Sequence, residues 1–206
     1  MKNLWMVLCA MVLAGCSFGP SVKLTPATYD LGAPQINAGT ARNINASLLL
    51  HNVDAPFWLD TTEIAYRLGQ DAGRQRSYAD SRWAASPAAL LTQRLRDRLT
   101  QASTGGVVGV ADGVRVNYAL RVELEDFSQV FDRADTSRGV VAARASLVDA
   151  AQRTLIAQKD FVFEKAAPTP DAAGGVRALT AASDELVNAV VAWTAANIAV
   201  ENRREK

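Results

Sequence analysis

The chain has 206 residues, 49% hydrophobic and 21% charged, the balance of one globular domain with a sizeable core. Its formal net charge of +1 gives no electrostatic pull toward nucleic acid. Two cysteines and a single histidine leave little from which to build a thiol–imidazole nucleophile or a Cys/His metal site.

At the N-terminus, Lys2 precedes an apolar run from Leu4 to Leu13, too short for a membrane-crossing helix of about 20 residues. Leu13-Ala14-Gly15-Cys16 then resembles the lipobox of bacterial lipoproteins. That resemblance implies that residues 1–15 are a signal peptide, that Cys16 carries a diacylglycerol on its sulfur, and that its freed amine is acylated as well. Each buried CH₂ contributes about 0.8 kcal/mol, so two or three chains hold the protein on a bilayer effectively permanently. This covalent lipid is the only prosthetic group expected; no cofactor is. Ser17, where an Asp would resemble an inner-membrane retention signal, favours the outer membrane with the domain facing the periplasm. With Cys9 in the leader and Cys16 lipidated, the mature domain has no disulfide. Residues 16–26, with Gly19 and Pro20, read as a lipidated tether.

Residues 27–200 read as a single domain. Tyr29 to Gly32 is a first strand and Ile44 to Val53 a second, broken by Asp54-Ala55-Pro56. Thr61 to Leu68 alternates as a third strand, Gly69 to Arg76 as a polar turn, and Ser77 to Trp83 as the returning strand. Ser86-Pro87 opens a helix with a good N-cap and a proline in the first turn. Ala88, Leu91, Leu95, Leu99 and Ala102 form its apolar stripe, and Arg94, Asp97 and Arg98 lie away from it. Ser103 to Gly113 reads as a flexible connection.

Val114 to Leu124 is the clearest strand, with an alternation that slips at Glu125-Asp126, the mark of a bulge or of a bend leaving the sheet. Gly139 to Val148 and Thr154 to Glu164 form a second hairpin. Val141, Ala143, Ala145 and Leu147 give one inner face; Leu155, Phe161 and Phe163 give the other. After a loop from Pro168 to Gly175, a last helix runs from Val176 to Val200, striped by Leu179, Ala182, Leu186, Ala189, Val190, Trp193 and Val200. Its Asp184, Glu185 and Asn188 make it a poor membrane span. Residues 201–206 form a polar tail. The order of elements predicts an α+β fold, a mostly antiparallel sheet with two amphipathic helices packed on one face.

Catalytic patterns are sparse. No Gly-x-Ser-x-Gly elbow is present, and Gly105, Gly106, Gly109 and Gly113 have neither P-loop nor dinucleotide-turn spacing. His51 falls at the end of an apolar strand, a position of a rim or partly buried residue. Glu123, Glu125 and Asp126 are the densest carboxylates, and their alternation puts Glu123 and Glu125 on a solvated face. No enzyme activity and no metal site are expected. The aromatics Phe57, Trp58, Tyr66, Tyr78 and Trp83 gather around the first hairpin near Arg67, Arg76 and Arg82. They read either as core aromatics with polar tips or as a docking surface, since aromatics and arginine dominate binding hot spots. Trp58, Tyr78, Arg82 and Trp83 are the candidate partner-binding residues.

Tyr29-Asp30-Leu31-Gly32, Trp58-Leu59-Asp60-Thr61 with Ile64-Ala65-Tyr66-Arg67, Tyr78-Ala79-Asp80-Ser81-Arg82-Trp83 with Pro87 and Leu90-Leu91, and Phe127 to Asp132 resemble, in order, the ABC-type transport auxiliary lipoproteins, a PqiC-like family. The resemblance implies a non-enzymatic part of a lipid-transport machine. Its partner would be a periplasmic MCE-domain protein working with an inner-membrane ABC permease and ATPase. Its place would be the outer-membrane end, its cargo phospholipid or another hydrophobic compound, and a homo-oligomeric ring matching a multimeric MCE protein is compatible with it. Two other readings stand beside it: a carrier of a small apolar ligand, and an envelope scaffold similar in layout to the amino-terminal domain of TolB-type proteins.

Overall fold

The computed structural model describes residues 25–33 and 43–204, so the lipobox Leu13, Ala14, Gly15 and Cys16 and most of the tether lie outside the described residues. The elements are β1 (Ala27–Tyr29), β2 (Leu48–Leu50), β3 (Glu63–Leu68), β4 (Asp71–Trp83), α1 (Pro87–Ala102), β5 (Val107–Val108), β6 (Tyr118–Arg133), β7 (Thr136–Asp149), β8 (Thr154–Ala166) and α2 (Ala172–Arg204). The fold is α+β, as expected.

β6 is the hub. Antiparallel β7 follows it along one edge, and β8 follows β7. On the opposite edge two parallel strands share its length. Leu48 of β2 is level with Tyr118 near its start, and Tyr66 of β3 with Gln129 near its end. The sheet therefore forks: β5 extends the β2 branch, while β4 and then β1 extend the β3 branch. Residues 51–62 cross the gap between the branches.

The period-two pattern of β6 explains its burial. Tyr118, Leu120, Val122 and Leu124 turn inward; the register shifts between Leu124 and Asp126; Phe127 and Gln129 then turn inward. The expected bulge is present, and β6 continues in the sheet beyond it instead of leaving. The strand starts at Tyr118, four residues later than the alternation suggested, and Val114 is exposed.

The first hairpin departs further from expectation. Its turn is only Gly69-Gln70, because Asp71 already pairs with Leu68. The polar stretch read as a long turn becomes strand instead, and register shifts between Arg67 and Leu68 and between Glu63 and Ala65 absorb the extra residues of β4. In the second hairpin, Val141, Ala143, Ala145 and Leu147 are buried as expected. Leu155 is not: a register shift after Leu147 puts it opposite Val148 on the outer face, 59% exposed, and Ile156 packs on the core in its place. A one-residue slip exchanges the two faces of a strand.

Both helices cover one face. α2 lies across β6, β7 and β8, and α1 packs beside it. Ser86 caps α1 through its hydroxyl oxygen, which accepts the Ala89 N–H at 3.5 Å, and Leu91, Leu95 and Leu99 are fully buried. α2 begins four residues before the sequence suggested, inside the glycines assigned to a loop. Asp171 accepts the Gly174 N–H at 2.7 Å, and that bond holds its carboxyl below the usual value. The glycines serve the crossing: a Cβ on Gly175 would stand 2.1 Å from Gln129 Oε1, and one on Gly139 of β7 would stand 2.6 Å from Leu179 N. α2 also continues past Val200 to Arg204, where Arg203 and Arg204 complement the negative end of the helix. Among the described residues no helix is long and apolar enough to cross a membrane.

Arg94 and Arg98 require a correction. They do not lie away from the packed side of α1; they are 5% and 6% exposed and face α2. Arg94 pairs with Asp184 and donates to the carbonyls of Leu31 and Gly32, tying the segment after β1 to both helices. Arg98 donates to Asn188 at 2.9 Å. Each helix contributes two polar residues four apart, so one pair rests on the other one turn at a time.

Candidate docking surface

The candidate residues divide between the two faces of the sheet. Trp83 is not on a surface: it is 1% exposed, meets Phe127 edge-on with ring centroids 5.5 Å apart, and is a core residue. Its backbone N–H donates to Thr62 O at 2.7 Å, which locks the end of β4 to the start of the first hairpin. Tyr78 is half-buried on the same inner side, 4.8 Å from the Tyr66 ring. Its hydroxyl donates to Gln129 Oε1 at 2.8 Å, and Gln129 Nε2 donates to Ser137 Oγ at 2.7 Å. Burial first, then Tyr66 and Asp171, pushes the Tyr78 phenol up to about 12. This chain of bonds satisfies a fully buried Gln129, a structural task.

Trp58 and Arg82 are solvent-facing. Arg82 is level with Glu63 on the neighbouring strand. Trp58, 39% exposed, sits beside Phe57, 88% exposed, on the segment that crosses the fork. This aromatic pair is held rigidly. Pro56 O accepts the N–H groups of Leu59 and Asp60 at 2.8 and 3.1 Å, and Leu59 plugs into the core beneath them. On the approach, Asp54 N donates to Val122 O at 3.0 Å and Leu124 N donates to Asp54 O at 2.7 Å. Tight turns project their central residues, so two large apolar side chains stand on a fixed backbone. Beside them lies a cleft of about 370 Å³ lined by Asp54, Ala55, Pro56, Glu123, Leu124 and Glu125, next to the β6 bulge.

Two carboxylates of this region, Glu125 and Asp126, are engaged in ion pairing. Glu125 accepts from Arg144 at 3.2 Å, and Arg144 also pairs with Asp160 at 2.7 Å. Asp126 pairs with Arg67, which also donates to Ser128 Oγ at 2.8 Å. Among the described residues no group of His, Cys, Asp and Glu side chains could hold a metal ion. His51 is a rim residue at the end of β2. Burial first, and then Arg121, lowers its pKa, with Asp54 opposing.

The sequence missed Phe57 as the most exposed aromatic among the described residues and the buried arginines as a helix seam. The signal for the first was Asp54-Ala55-Pro56 just before it, which ends a strand and starts a turn. The signal for the second was the matching spacing of Arg94/Arg98 and Asp184/Asn188.

The family model described as ABC-type transport auxiliary lipoprotein component matches residues 29–191. No curated protein matches the sequence significantly. Among solved structures, a protein from Xanthomonas campestris superposes with a TM-score of 0.75 at 16% identity, covering 86% of this chain and 99% of that one. An uncharacterized protein gives 0.63 at 17% identity, covering 81% and 97%. A hypothetical protein from Chlamydia trachomatis gives 0.53 at 7% identity, covering 75% and 98%. At these identities the likeness is one of fold.

Proposed function

This chain belongs to the ABC-type transport auxiliary lipoprotein family, and from that membership we propose that it is the outer-membrane-anchored docking component of an ABC-type lipid transport system. Cys16 carries the acyl chains, and the domain faces the periplasm. There it receives an MCE-domain protein that conducts phospholipid or another hydrophobic compound. The observation that carries the docking role is the Phe57–Trp58 pair: adjacent exposed aromatics on a turn pinned by backbone bonds. A rigid apolar projection loses little conformational entropy when a partner covers it, which is what hot-spot residues require. The carrier alternative is less well supported. A cleft of about 610 Å³ beside α2 is edged by Asp30, Lys165, Asp184 and Glu185, groups ill suited to storing acyl chains.

Crosslinking in intact cells, followed by capture through a C-terminal tag, tests the reading. Recovery of an MCE-domain protein is the expected result. Lipid alone in the eluate supports a carrier, and outer-membrane proteins alone support a scaffold; either outcome rejects docking. In the same cells Cys16→Ser abolishes membrane fractionation if the anchor is a lipid, and unchanged fractionation contradicts it.

A further inference from the structure

On the outer face of the sheet lies a groove of about 560 Å³, within the range of roughly 300–1,000 Å³ typical of ligand sites. Its floor is apolar: Leu49 of β2, Ala119 of β6 and Val148 of β7 stand level with one another across three neighbouring strands, with exposed Leu155 of β8 at the side. Arg121 and Arg153 line it, and neither side chain has a hydrogen bond or ion pair among the described residues. Asp149 also lines it, but its Oδ1 already accepts the backbone N–H groups of Ala151 and Gln152 at 2.8 and 2.7 Å. The local charge balance therefore favours an anion.

Arg153 is the one non-glycine residue with positive φ among the described residues, at 57°. A left-handed conformation is disfavoured for an L-residue, and glycine or asparagine ordinarily takes such a turn position. An arginine takes that position here, on the rim of an apolar groove. Ala150 N donates to Asn117 O at 2.8 Å, which ties the turn carrying Arg153 to the residue just before β6.

An apolar floor beneath two guanidinium groups that have no partner among the described residues matches one ligand chemistry: an anionic head joined to an apolar body. We infer that this groove seats the headgroup and first acyl carbons of one acidic phospholipid from the bilayer to which the chain is anchored. Arg121 and Arg153 bracket the phosphate, and the Leu49–Ala119–Val148–Leu155 floor takes the start of the acyl chain. Arginine suits the first task because its planar fork meets two phosphate oxygens at once. The inference rests on the lipid-anchored reading only to bring a bilayer within reach. It requires no MCE partner, so failure of docking leaves it standing.

The test uses the full lipidated chain in phosphatidylcholine nanodiscs that hold phosphatidylglycerol as a minor lipid. A photoreactive residue replaces Leu155, and a control carries it at Val162, exposed on the same strand but away from the groove. Mass spectrometry of the adducts identifies the lipid. The expected result is phosphatidylglycerol enriched over its bulk fraction at position 155 and not at 162. Arg121→Ala with Arg153→Ala lowers that yield about 10- to 30-fold while the melting temperature holds or rises. Adducts that follow bulk composition, adducts indifferent to the arginines, or no lipid adduct at 155 would each overturn the inference.

Discussion

Arg94 and Arg98 on α1 and Arg121 and Arg153 on the outer sheet face are the same residue type in opposite situations. Arg94 spends its donors on Asp184 and on the carbonyls of Leu31 and Gly32, so it is structural and closed to any ligand. Arg121 and Arg153 spend theirs on nothing within the described chain. Phe57 and Trp58 differ from Trp83 in the same way: one pair projects into solvent, and the other residue is sealed against Phe127. Residue type therefore indicates what a side chain could bind, and only its partners show whether it is free to do so.

The seam offers the largest effect by which to break this contrast. Arg94→Ala leaves Asp184 half of a broken, nearly buried pair and should cost about 3–5 kcal/mol in denaturant unfolding. Arg94→Met with Asp184→Leu removes both charges and should recover most of that loss. If the single variant costs less than the double, the seam is not held by this pair. Next come the tryptophans. Trp83→Ala should cost about 3–5 kcal/mol by emptying a core site, whereas Trp58→Ala, whose ring is partly exposed, should cost only about 1–2 kcal/mol. Equal losses would mean that Trp58 is also a core residue.

Tyr78 gives a pH signature. Its folded pKa lies near 12 against an ordinary 10, so the fold prefers the neutral phenol. That stabilisation is fully present below pH 10 and is lost as pH rises toward 12. Tyr78→Phe should flatten this part of the stability profile; an unchanged slope would assign it to another group. The smallest effect lies at Arg153. Arg153→Gly should raise stability by about 0.5–1 kcal/mol through relief of the left-handed backbone, and a loss would show that the guanidinium holds the turn together.

The legibility of the chain follows the range of the interactions involved. α1 was readable from Ser86, Pro87 and the leucine stripe because capping and amphipathic spacing act within a turn or two. The β6 bulge was readable because an extra residue reverses period-two alternation along one strand. Interactions that cross the molecule were not readable. Arg94 and Arg98 sit at positions that look solvent-facing until α2 brings Asp184 and Asn188 alongside. Gly174 and Gly175 signal a loop locally, yet close approach of Gly174 to Thr169 and of Gly175 to Gln129 makes them the right residues for a helix start. Leu155 fits an inward pattern that a register shift overrules. For the candidate site, composition placed aromatics near the first hairpin, but the fork of the sheet decides which of them meet solvent, and strand pairing is not written in any one segment.

The central claim, docking through the turn at the fork, is tested most directly by the affinity of the full-length protein for the MCE-domain protein proposed as its partner. The comparison is between the parent and Phe57→Ala/Trp58→Ala, both folded at the temperature of the measurement. The expected result is an affinity weakened about 30-fold or more, the loss of at least one hot-spot contact. Undiminished affinity in a folded double variant would contradict it.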